Sequence, residues 1–91
     1  MLFQTNYTLV GDRTVETGKE LMALFMKRGA NPGEIAHYIH VDGSGGTVIS
    51  ENSDIAELHD VAMAYAPFMM FEILPIRKVE DAVPDILKHY G

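Results

Sequence analysis

Five residues, Asp42-Gly43-Ser44-Gly45-Gly46, separate two runs of alternating residues, and nothing else in the chain constrains its fold as much. Before the glycines, Ile35, His37, Ile39 and Val41 alternate with Ala36, Tyr38, His40 and Asp42; after them, Val48 and Ser50 alternate with Thr47, Ile49 and Glu51. Period 2 is the mark of a strand with two unlike faces. A tight hairpin needs the positive φ that glycine supplies, so the two runs are antiparallel neighbours. A phosphate loop would end in Gly-Lys-Thr/Ser and enter a helix; this one does neither. With an even-length loop centred on Ser44 and Gly45, Tyr38 stands opposite Glu51 and His40 opposite Ile49, all on one face, while Ile35, Ile39, Val41 and Val48 face the other way.

The flanking segments supply the remaining elements. Leu2 to Leu9 alternates, with Phe3, Thr5, Tyr7 and Leu9 on one side and Gln4, Asn6 and Thr8 on the other, and Gly11 ends the strand. Asp12 is placed to cap a helix running to about Arg28 with Val15, Leu21, Met22, Phe25 and Met26 as its apolar stripe, and Gly29 stops it. Ser53 or Asp54 caps a second helix, in which Glu57 completes a capping box and Ile55, Leu58, Ala62, Tyr65 and Ala66 face inward; Pro67 ends it. Phe68 to Ile76 is an apolar strand broken by Glu72, and Pro75 marks it as an edge or a terminus. Val79 to His89 reads as a short helix with Pro84 near its first turn.

Ninety-one residues, 47% of them hydrophobic, are enough for one core and no second domain, so residues 1–91 form a single unit. Seven Lys and Arg against thirteen Asp and Glu give a net charge of -6, the wrong sign for a nucleic-acid partner. No apolar run approaches the ~20 residues of a membrane span, and the first residues carry no basic-then-apolar leader, so the expectation is a cytoplasmic protein with no membrane partner. The absence of cysteine excludes disulfides, thiolate metal sites and cysteine nucleophiles. His37, His40 and His59 lack the tight spacing of a zinc motif, and no cofactor or metal is expected.

The order β-α-β-β-α-β with a further C-terminal helix is the ferredoxin-like α+β arrangement, a four-stranded antiparallel sheet with both helices on one face. The pieces Met1-Leu2-Phe3 with Tyr7-Thr8, His40 to Gly46, Glu51 with Asp54, and Phe71-Glu72-Ile73-Leu74-Pro75 run through nearly the whole chain. In them the chain resembles a family of short uncharacterised proteins, a domain of unknown function, within the dimeric α/β-barrel superfamily. Where that family's pattern carries Trp, this chain has Ile39, His59 and Tyr65 in the same neighbourhood. The resemblance implies a homodimer in which two sheets pair through their open faces.

The open face is the first candidate site. If Met69, Phe71 and Ile73 pack under the helices, then Asn6, Tyr38, His40, Glu51 and Glu72 share that face with Gln4 and Thr8, and a buried polar group left unsatisfied costs about 1–3 kcal/mol. His40 would act there as acid, base or donor, with Glu51 or Glu72 as its partner. The plainer account of the same residues is a hydrogen-bond network that sets a dimer's register. His37 and His59 are candidates for a second pocket between sheet and helices, where the superfamily resemblance implies haem or small aromatic ligands. The expected function is a homodimer that binds a small organic molecule in a sheet-lined cavity. The alternatives are a cofactor-independent monooxygenase- or isomerase-like enzyme and a purely structural dimerisation module.

Overall fold

The computed structural model describes residues 1–91. In chain order the elements are β1 (Leu2–Leu9), α1 (Val15–Arg28), β2 (Glu34–Ile39), β3 (Gly45–Glu51), α2 (Ile55–Tyr65), β4 (Met69–Ile76) and α3 (Val79–Tyr90). The four strands make one antiparallel sheet in the order β2-β3-β1-β4, the ferredoxin-like arrangement expected from the sequence. Pro75 lies on edge strand β4, where its missing N–H costs no ladder bond to a further strand. No helix is long and apolar enough to cross a membrane.

Pairing of β1 with both neighbours fixes the two faces of the sheet. Asn6 is opposite Thr47 on one side and Glu72 on the other, and Thr5 is opposite Val48 and Ile73. Gln4, Asn6, Thr8, Tyr38, Thr47, Ile49 and Glu72 therefore share the open face, while Phe3, Thr5, Tyr7, His37, Val48, Ser50, Met69 and Phe71 lie beneath the helices. Burial follows this division: Phe3, Thr5, Val48, Ser50 and Met69 are buried together with Leu58 and Tyr65 of α2.

Within the β2–β3 hairpin the register differs from the expected one. Tyr38 pairs with Thr47 rather than Glu51, and the backbone N–H of His40 donates to Gly45 rather than lying opposite Ile49. The turn closes at Asp42-Gly43, where Gly43 has φ +76°, its N–H donates to His40 at 2.9 Å, and the Ser44 N–H donates to the Asp42 carboxylate at 2.9 Å. Gly45 and Gly46 are thus strand residues. Because the slip is even, the face of each residue is unchanged. A bulge between Glu34 and Ala36 sets Glu34 opposite Ser50 and Ala36 opposite Ile49, leaving Ile35 between them exposed. β2 ends at Ile39, so Ile39 and Val41 are exposed as well; of the expected helix-side set only Val48 is core.

Helix starts also differ. α1 is capped by Thr14, not Asp12, through a reciprocal box with Thr17, whose hydroxyl also donates to the Asp12 carbonyl. Asp54 caps α2 by accepting from Ala56 N–H at 2.9 Å, but Glu57 turns away from the capping box to accept from the Asn52 side-chain amide at 2.8 Å. Asn52 also donates to the Pro32 carbonyl, so one buried amide joins the approach to β2 to the start of α2. Pro84 lies inside α3 rather than in its first turn. No residue of α1 is fully buried; its stripe covers the sheet at a distance.

Candidate functional site

Because α1 stands off the sheet, its apolar stripe walls a cavity instead of closing onto the strands. The cavity has a volume of about 490 Å³ and is lined by Leu21, Met22 and Phe25 of α1, Leu58, Val61 and Tyr65 of α2, and the helix-side residues of the sheet. Most of this wall is apolar. Its polar members come mainly from the strands, with Asn31 from the loop before β2 and Tyr65 from α2.

Tyr7 on β1 stands directly opposite Gly46 on β3, and its ring lies where a Cβ on Gly46 would be. A glycine at this position lets the phenol cross β3 and reach β2 beyond it. There the Tyr7 hydroxyl and His37 Nε2 share a hydrogen bond of 2.6 Å, with the two rings edge to face. The other nitrogen of His37, Nδ1, is 3.5 Å from Glu34 Oε1, an ion-pair distance rather than a full hydrogen bond. Asn31 steadies that carboxylate by donating from Nδ2 to Oε1 at 2.9 Å. The ring of Phe25 closes over His37 from α1. Burial, reinforced by the charge of Glu34, pushes the Tyr7 phenol above its ordinary range, so Tyr7 is a neutral donor at physiological pH. Ser50 lines the same cavity; its hydroxyl is buried and bonds to no other protein group.

A separate chain of polar groups crosses the open face. Asn6 donates from Nδ2 to Glu72 at 3.2 Å and accepts at Oδ1 from Gln4 (3.1 Å) and from the Thr47 hydroxyl (2.9 Å). His40 reaches Thr47 through Nε2 and Ser44 through Nδ1, both at 3.3 Å. Asn6, His40 and Glu72, expected together, therefore belong to one network, with Thr47 as the link. Tyr38 lies opposite Thr47 but extends into solvent. Glu51 is apart from them: the true register sets it at the far end of β3 from His40, where it meets the amino group of Met1. The expected His40–Glu51 pairing came from the misplaced turn.

Of the second-pocket pair, His37 lies on the cavity wall, whereas His59 sits on the outer side of α2 in solvent. Tyr7, Glu34 and Ser50 were not singled out from the sequence. Tyr7 and Ser50 do share parity with the core positions of their strands, which is the signal that would have found them. Glu34 carries no such signal, since it has the parity of the open face and reaches the cavity side only through the bulge. No group of three or more His, Cys, Asp or Glu residues is placed to hold a metal ion.

The model of a domain of unknown function, DUF3303, matches residues 1–90. The chain belongs to this family. No curated protein matches this DUF3303 domain.

Proposed function

We propose that this DUF3303 protein is a homodimer in which each chain holds a small organic molecule in the cavity between the sheet and helices α1 and α2. The cavity itself carries the reading. Its 490 Å³ falls within the roughly 300–1,000 Å³ of small-molecule sites, and a few convergent polar groups in an apolar wall are the usual composition of such a site. A lone apolar hole would cost stability, whereas the Tyr7–His37 bond and the unpaired Ser50 hydroxyl offer a ligand directional contacts.

The second copy pairs through the open face. The chain exposes 6588 Å², against about 5,300 Å² for a compact monomer of its mass. That excess is of the order a standard interface removes from each partner, about 800 Å². The Gln4–Asn6–Glu72–Thr47–His40 network then fixes the register between sheets.

Native mass spectrometry of the purified protein tests both parts. The expected result is a two-chain mass carrying a co-purifying molecule, or accepting an added apolar dye such as anilinonaphthalene sulfonate at one per chain. A one-chain mass refutes the dimer, and failure to hold either molecule refutes the cavity as a binding site.

A further inference from the structure

We propose that the Tyr7–His37–Glu34 chain recognises a weakly acidic hydroxyl group, a phenol or an enol, on the molecule in the cavity and accepts its proton; the proposal rests on reading the cavity as a ligand site. The direction of the hydrogen bonds decides the ligand chemistry. The acceptor-only Glu34 carboxylate beside Nδ1 favours the His37 tautomer with its hydrogen on Nδ1; Nε2 then accepts, Tyr7 spends its one hydrogen there, and the Tyr7 oxygen has only lone pairs left. His37 with Nε2 accepting carries its hydrogen on Nδ1, facing the Glu34 carboxylate. Every donor in the chain therefore points away from the cavity, and the end that meets a ligand is an acceptor. A carboxylic acid, ionised in neutral water, has no hydrogen to offer it; a phenol or enol does.

The same chain conducts a proton without any other reactant. The ligand O–H bond breaks as its proton passes to Tyr7 Oη, while the proton of Tyr7 passes to His37 Nε2. The ligand keeps the electron pair as an oxyanion, Tyr7 ends neutral, and His37 becomes an imidazolium beside Glu34. Nothing is oxidised or reduced. The titratable groups around the Tyr7–His37 pair support this polarity. Glu34 is the carboxylate on its own strand, Tyr7 is on β1, and Tyr65 is on α2 with the Arg28 guanidinium 5.9 Å from its ring. From α1 the group facing His37 is the uncharged Phe25. Ser50, with both a hydrogen and lone pairs unspent, is available to a second polar atom of the same ligand, as in a hydroxy-carbonyl compound.

Para-nitrophenol and its methyl ether, para-nitroanisole, are matched probes, because only the first can donate a proton and its anion is yellow. The expected result is that the intact protein binds the phenol at least about tenfold more tightly than the ether. The bound phenol should also show its anion colour about one pH unit below the free compound. Tyr7→Phe and His37→Gln should each keep ether binding and lose both the preference and the colour shift, and Glu34→Gln should reduce the shift. Equal binding of the two probes overturns the proton-accepting role while leaving the cavity as a ligand site, as does a preference that survives in both Tyr7→Phe and His37→Gln. Failure of both probes to bind overturns the role and the site together.

Discussion

Tyr7 shows how one side chain is held by its surroundings and what that costs. Burial and the nearby Glu34 charge favour its neutral form, raising its pKa above 10.0 in the folded chain. The folded state therefore keeps a proton that the unfolded state releases, so this contribution is complete below pH 10 and declines as pH rises through the folded value. Tyr65, raised by burial against the opposing charge of Arg28, acts in the same direction. Urea midpoints measured across the alkaline range should fall for the intact protein and fall less steeply for Tyr7→Phe. Ser50 offers a contrasting case. A buried hydroxyl without a partner costs about 1–3 kcal/mol, so Ser50→Ala should leave stability unchanged or raise it in thermal unfolding, while weakening any ligand that uses the hydroxyl.

At the scale of elements, the β2–β3 hairpin depends on Asp42. Its carboxylate accepts from Ser44, and this holds its pKa below the ordinary value, with smaller help from His40 and Arg13. A lowered pKa means that the stabilisation is present above the unfolded value of 3.8 and is lost as pH falls through the folded one. Asp42→Ala should therefore speed amide hydrogen exchange at His40 and Gly43 near neutral pH, with a smaller difference from the intact protein in acid. The same hairpin shows what a sequence does and does not display. Alternation revealed the strands, their antiparallel order and their faces, because side-chain parity survives an even slip. It did not reveal the register, because five turn-forming residues accommodate more than one closure and the choice fell to the Asp42 side chain. Nor did it reveal the bulge at Ile35, which one face of the strand's own pattern cannot signal. A pocket between sheet and helices was anticipated through His37, but its size and its other polar residues were not, since they depend on how far α1 stops short of the sheet, a matter of packing between elements distant in sequence.

For the whole molecule, the radius of gyration of 15.8 Å exceeds the roughly 12 Å of a compact chain of this length. α3 contributes, with Val79, Ile86, Leu87 and Tyr90 along it exposed. Ile49 is half-buried on the open face, and an arginine there would place an unpaired charge between two sheets. Ile49→Arg should shift sedimentation from two chains to one, whereas Glu20→Arg on the outer side of α1 should leave it unchanged. The cavity and the open face lie on opposite sides of a single sheet. Paired sheet to sheet, the two chains would hold their chambers back to back, each opening outward with both sheets between them. Occupying one would alter no contact in the other, so saturation by para-nitrophenol should follow a single hyperbola with a Hill coefficient of about 1, two independent vessels in one shell.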